Sequence, residues 1–375
     1  MLKSNKKNMI TTACFYGSFV NGVIAVIIGA VIPLILKDFN MGYNTGGILL
    51  SLYSVGSVLA SIAGGSIALI AMIVVGFFLA IVFKSPALLM LGFFLIGIGK
   101  GSNVNMGNTN INKLSDGDSG LLNILHTFAA LGSFIAPLLA SFLLTLGFGW
   151  RPILTLVAAL AILMVILFKA SGIESISFKR GKKSTKYNFD FIKERSFYLS
   201  AGMMSCYTGV EYAVNGWLVT YLRDSGRMDT SMAQRMLSIM WVVIIVGRLF
   251  NVYIAKKFDN KNIVLFSSFG SLICFLLFMA SSNLWITILW ILGLGFCLSG
   301  IYASGLTNAG NIIKESKLAM STILGIAGLG GMIMPFIIGL VAEKVGITGG
   351  MITIAFSAGM LFTLALINKL WKVKA

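Results

Sequence analysis

The residues of this chain with chemical potential lie inside strongly apolar stretches. Tyr207, Glu211 and Asn215 recur every four positions and share one helical face. A carboxylate there, between two hydrogen-bonding groups, would take up a proton or hold a cation. Lys100 shares a face with Asn103 and Gly107, and His126 is the only histidine. Lys100 and His126 fall at similar depth in their apolar runs. Together they would attract an anionic group, with the ammonium opposing protonation of the imidazole. Lys100 and Glu211 differ in depth by roughly 11–12 Å at 1.5 Å per helical residue, too far for a direct ion pair. Asn105, Asn108 and Asn112 make a second amide face, and Asn21, Tyr302, Ser304, Thr307 and Asn308 add further polar groups. Each has a plainer reading: a structural carboxylate, a snorkelling lysine, a packing histidine, or amides bonded between helices.

The elements that position these groups follow from composition. Of 375 residues, 57% are apolar and 11% charged, against roughly 25% charged in a soluble domain. Runs of about 20 apolar residues, the length that crosses ~30 Å of hydrocarbon as a helix, place spans at 10–36, 44–64, 66–83, 86–107, 119–146, 150–170, 197–221, 233–255, 262–281, 284–307, 318–342 and 348–370. A membrane barrel would show short alternating segments instead. Lys3, Lys6 and Lys7 precede a run too long for a signal-peptide core, so the first helix is expected to remain as a span.

The net charge of +17 sits between the runs, which reads as cytoplasmic loops rather than a nucleic-acid surface. Twenty Lys and Arg fall on the side of the termini and seven on the other, which places both termini in the cytoplasm. The polar segment 171–196 separates a six-helix bundle at 1–170 from a second at 197–375. Cys14, Cys206, Cys274 and Cys297 have no metal spacing and read as small packing residues. Gly97-Ile98-Gly99 follows no strand and is not a dinucleotide fingerprint.

The two halves repeat. Leu131-Gly132 and Pro137 recur 198 positions on as Leu329-Gly330 and Pro335, and Gly97 and Gly99 pair at 196 with Gly293 and Gly295. Leu50-Ser51 recurs at 187 as Leu237-Ser238, and Asp38 at 186 as Asp224. The offset jumps near Gly64-Gly65. The second half carries Ala255-Lys256-Lys257-Phe258-Asp259-Asn260-Lys261 between its second and third helices, whereas Ile62 to Ala68 holds no charge. A 40-residue helix would overrun the bilayer, so a tight turn is expected at Gly64-Gly65, where glycine permits reversal.

These features resemble the major facilitator superfamily over essentially the whole chain. Tyr207-Thr208-Gly209-Val210-Glu211, Trp217 through Leu222, and Asn123 through Phe128 are similar to the branch of fucose permeases and related sugar transporters. The resemblance implies an all-α polytopic fold with 12 transmembrane helices as two six-helix pseudo-repeats. It also implies a cavity lined by helices 1, 4, 7 and 10, which selects Asn21, Lys100, Glu211 and Tyr302. Gly247-Arg248 with Lys256, Lys257 and Asp259 resembles the superfamily's gating loop. Its first-half copy is missing, which would disturb closure of the cytoplasmic gate. Fucose permeases place coupling carboxylates in helices 1 and 4, where this chain has Asn21 and Lys100.

The expected activity is therefore alternating-access transport of a small solute, a sugar or other polar metabolite, driven by a proton or sodium gradient. The chain is expected to be a monomeric, cofactor-free, non-enzymatic protein of a bacterial inner membrane, with the bilayer and a small solute as partners and no nucleic acid. Proton-antiport efflux of amphipathic compounds is the competing reading. A non-transporting variant, a channel and a membrane enzyme are more remote.

Overall fold

In the computed structural model, residues 2–115, 119–173, 176 and 177, 190–308 and 317–371 are described. The helices are α1 (Leu2–Phe39), α2 (Tyr43–Ala63), α3 (Ile67–Val82), α4 (Pro86–Leu114), α5 (Ser119–Thr145), α6 (Trp150–Ala170), α7 (Arg195–Asp224), α8 (Thr230–Ile254), α9 (Asn260–Ala280), α10 (Leu284–Ser299), α11 (Ile301–Asn308) and α12 (Lys317–Leu370). α10 and α11 form one span interrupted at Gly300. α12 is two spans broken at Val345 and Gly346, the latter at φ 80°. Among the described residues eight helices are long and apolar enough to cross a bilayer. α3 is apolar but only 16 residues long, and α2 and α7 are richer in glycine, hydroxyl and amide groups. With both halves of α12 counted, the fold is the expected twelve-span all-α architecture.

Helix starts are set by local chemistry. Pro86 opens α4, where its missing N–H is no loss. Asn283 accepts from the backbone N–H of Trp285 and Ile286 at 2.9 and 3.2 Å at the start of α10. Helix ends use arginine: Arg151 Nε donates to the Ile81 carbonyl ending α3, and Arg227 donates to Phe278 and Met279 ending α9. Arg151 also pairs with Asp38 at 2.8 Å.

The chain divides into two compact units, residues 1–180 with 230–238, and residues 181–229 with 239–375. Of the expected linker 171–196, residues 174, 175 and 178–189 lie outside the described residues.

The internal repeat is visible in what its glycines touch. A Cβ on Gly132 of α5 would overlap the Phe19 carbonyl of α1, and one on Gly330 of α12 would overlap the Ser205 carbonyl of α7. Both glycines bring equivalent helices into backbone contact, the use membrane helices make of small residues. Gly97 packs on the Tyr53 carbonyl of α2, and Gly295 lies over Met240 of α8. Tyr53 and Met240 are themselves 187 apart, so the structural equivalent of Gly97 is Gly295, at 198, rather than Gly293 at 196. The offset is therefore uniform from the fourth helix onward.

The turn expected at Gly64-Gly65 is present as a two-residue extended link, β1, with Gly64 at φ 102° and ψ −166°. It pairs antiparallel with β2 (Ile176–Ser177), Gly64 opposite Ser177 and Gly65 opposite Ile176. α4 closes the remaining hydrogen bonds. Ser102 Oγ accepts from the Ser66 N–H at 2.9 Å and donates to its carbonyl at 3.1 Å. Asn105 Nδ2 donates to the Ala60 and Ser61 carbonyls at the end of α2. A Cβ on Gly65 would meet Met106 at 2.5 Å, so a side chain has no room there.

Gly132→Ala and Gly330→Ala are each expected to destabilise the protein by about 1–3 kcal/mol through overpacking, read as a lowered melting temperature in detergent. Gly359→Ala, where a Cβ meets nothing within 4 Å, is expected not to lower it.

Candidate functional site

The first unit holds a cavity of about 80 Å³ between α1, α4 and α5, lined by Cys14, Ser18, Asn21, Asn103, Val104, Gly107, Asn108, Leu125, His126 and Ala129. That volume admits a few water molecules or one polar substituent of a larger ligand. Most hydrogen-bonding capacity around it is committed between helices. Asn103 is buried and donates to the Gly17 carbonyl at 2.7 Å. A Cβ on Gly17 would press on Asn103 Oδ1 and the Phe168 ring, so glycine is what lets the two helices close. Ser18 donates to the Leu125 carbonyl at 2.6 Å and Ser133 to that of Gly22 at 3.2 Å. The exception is Asn21. Its Oδ1 is buried with no hydrogen-bond partner among the described residues, the position of an acceptor awaiting a donor.

Lys100 is outside this lining. It is 5% exposed, and its Nζ lies 4.8 Å from the centre of the Tyr53 ring on α2, a cation–π arrangement that offsets part of the cost of burying an ammonium. His126 is exposed and lines the cavity. Lys100 and His126 thus serve different surfaces of the helical bundle: one faces the α2–α4 seam and the other the α1–α4–α5 cavity.

The second unit gathers a different set. Tyr207, 2% exposed on α7, hydrogen-bonds Glu211 one turn later, and Arg248 of α8 and Tyr302 of α11 lie within electrostatic range. The Tyr207 and Tyr302 ring centres are 6.0 Å apart. Tyr302 is 39% exposed and also lies within electrostatic range of Glu211, Tyr212 and Arg248. The arrangement is a carboxylate held by one phenol and near a second, with a guanidinium in range of both phenols. A carboxylate so placed can take up a proton or cation. Asn215 is on the same face but turns to α8, where its Oδ1 accepts from Trp241 Nε1 at 3.2 Å. The side chain of Asn308 lies outside the described residues.

Arg248, which lies within electrostatic range of Tyr207 and Tyr302, was grouped as a gating residue with Lys256, Lys257 and Asp259. Those three are exposed where α8 runs into α9. Lys257 lies over the Tyr253 ring at 4.6 Å. Asp259 caps α9 and pairs with Lys369 at 3.9 Å. Cys14 was read as a packing residue and Ser18 was not singled out, although with Asn21 they fall at i, i+4 and i+7, a helical stripe readable in the sequence. The nearness of Arg248 to Tyr207 and Tyr302 and that of Tyr53 to Lys100 have no such signal, because each joins helices far apart in the chain.

A sequence model described as Major Facilitator Superfamily matches residues 14–309 and, again, 201–372. The protein TsgA homolog of Buchnera aphidicola subsp. Baizongia pistaciae (strain Bp) is 23% identical over 381 residues, covering 97% of this chain and 96% of that protein. Among solved structures, a bacterial homolog to the human lysosomal transporter Spinster, in an inward-facing and occupied conformation, superposes with a TM-score of 0.78. The two are 12% identical, over 96% of each chain. A D-xylose-proton symporter superposes with a TM-score of 0.75 at 13% identity, over 97% of each chain. At these identities the structural likeness is one of fold.

Because Tyr207 and Glu211 bond directly, Tyr207→Phe and Glu211→Gln are expected to be non-additive in thermal melts, with a coupling of about 0.5–3 kcal/mol. Glu211→Gln combined with Asn103→Ala, which shares no partner with it, is expected to be additive within about 0.5 kcal/mol.

Proposed function

The chain belongs to the major facilitator superfamily, and from that premise we propose that it moves a small polar solute across the membrane by alternating access, coupled to a proton or sodium gradient. The observation that carries this reading is Glu211, a carboxylate within a membrane span, bonded by Tyr207 and near Tyr302, with Arg248 in range of both phenols. Ionisable groups at membrane depth are costly and mark ion or substrate paths. In this reading Glu211 takes up and releases the coupling ion, and Arg248 compensates the carboxylate when the ion leaves.

The solute is proposed to be polyhydroxylated, a sugar being the leading class. Asn21, Asn108 and His126 present polar groups in the first unit's cavity, and such groups suit hydroxyls better than the amphipathic compounds of an exporter. The resemblance to the sugar-transporting branch points the same way, as does a D-xylose-proton symporter among the proteins of like fold. Uptake through a bacterial inner membrane, with both termini in the cytoplasm, as a monomer and without a cofactor, completes the proposal. Lys256, Lys257 and Asp259 are assigned to gating through the Asp259–Lys369 pair.

The test is solute accumulation in proteoliposomes across a panel of sugars with an imposed proton or sodium gradient. A potential of 100 mV is worth about 2.3 kcal/mol per coupled charge, enough for roughly 50-fold accumulation. Accumulation approaching that limit is expected for the wild type, and bare equilibration for Glu211→Gln. A wild type that accumulates no sugar under either gradient overturns the sugar-symport reading. Full accumulation by Glu211→Gln removes the coupling role from that residue.

A further inference from the structure

Two of the four cysteines, 23 positions apart in sequence, meet across the seam between α9 and α10. The Cys274 and Cys297 thiols are within hydrogen-bonding reach of each other. The packing around them is reciprocal. Gly293 of α10 lies opposite Cys274 of α9, where a Cβ would come within 2.9 Å of its Sγ. Gly270 of α9 lies opposite Cys297 of α10, where a Cβ would come within 2.6 Å. Each sulfur occupies the space a glycine leaves on the facing helix, so both are drawn into one seam. Both are free thiols. They differ in access: Cys274 is buried, whereas Cys297 is half-buried.

We propose that Cys274 and Cys297 form a reactive dithiol site, oxidised by small disulfide compounds to an intramolecular disulfide that staples α9 to the last turn of α10. The more accessible Cys297 sulfur attacks the reagent disulfide; its S–S bond breaks, a mixed disulfide forms on Cys297, and one small thiol leaves with the proton Cys297 gives up. The Cys274 sulfur then attacks the Cys297 sulfur, expelling the second small thiol with the Cys274 proton. The protein loses two electrons and two protons, and one small disulfide becomes two thiols. The staple falls three residues before the Gly300 interruption, beyond which α11 carries Tyr302. Asn251 of α8 packs on Gly300 and donates to Ser299 Oγ at 3.0 Å, so the linked turn is already anchored on its other side.

The full-length protein in detergent, treated with excess oxidised glutathione or the smaller hydroxyethyl disulfide and analysed by intact mass and peptide mapping, tests this. The expected result is a loss of two hydrogens, two titratable thiols gone, and one linked peptide pair containing Cys274 and Cys297. Reduction should reverse all three. Cys274→Ser should instead retain one reagent adduct on Cys297, and Cys297→Ser should give no link. The unfolded protein, where all four thiols are open, verifies that the reagent reacts. Adducts on Cys297 of the wild type that never resolve, a link to Cys14 or Cys206, or a folded wild type inert to a reagent that modifies the unfolded chain would each overturn the proposal.

Discussion

A backbone that crosses hydrocarbon has no water to bond with, and this constraint governs almost every feature of the molecule. Each N–H and carbonyl must find a partner within the protein at the cost of several kcal/mol if it does not. Helices answer it along the spans, and the exceptions collect at their ends. There Arg151 and Arg227 cover the terminal carbonyls of α3 and α9, Asn283 covers the first N–H groups of α10, and Asn105 covers the end of α2. Polar side chains that look functional in the sequence therefore divide into those that satisfy the backbone and those left over.

The shortened connection between α2 and α3 shows the constraint at its sharpest. The second half spans the equivalent step with a charged loop that water can solvate, whereas the first half reverses within three residues. Such a turn exposes backbone groups with few local partners. Ser102 bonds both groups of Ser66, β2 pairs with Gly64 and Gly65, and the missing side chain at Gly65 lets Met106 close over the turn. A run of small residues followed by a serine cap substitutes for nine residues of loop. Asn105 is thereby accounted for as structural, without reference to any ligand.

The spans, their number, the duplication and the place of its gap were all legible in the sequence, because each depends on local hydropathy, length or glycine placement. Gly132 and Gly330 were readable as equivalents and do equivalent work against Phe19 and Ser205. Pairing Gly97 with Gly293 went two residues astray, since spacing alone does not say which of two glycines faces the second helix. The sites were legible only in part. Tyr207 and Glu211 lie one turn apart on a single helix, so periodicity finds them. The partners Arg248, Tyr302 and Tyr53 arrive from other helices, and their side-chain directions follow from packing angles that no local pattern encodes. Asn215 shows the converse: it shares the face of Glu211 by periodicity, yet Trp241 holds it as a structural acceptor.

The groups gathered in the two units differ, and the difference has chemical content. In the first unit they are an unpartnered acceptor on Asn21, the amide of Asn108 and the imidazole of His126. The lysine that might have given that cavity a charge is held instead against Tyr53. In the second unit they include two ionic groups, a carboxylate and a guanidinium, with two phenols between them. Neutral acceptors and donors discriminate among hydroxyl patterns but do no work against a gradient, whereas a carboxylate can change charge and recognises little. Under the proposed function, a duplicated fold with these different sets of groups would separate recognition from energy coupling. On that reading coupling rests on α7, since α4 carries no acid and the one acid of α1, Asp38, lies at its end, paired with Arg151.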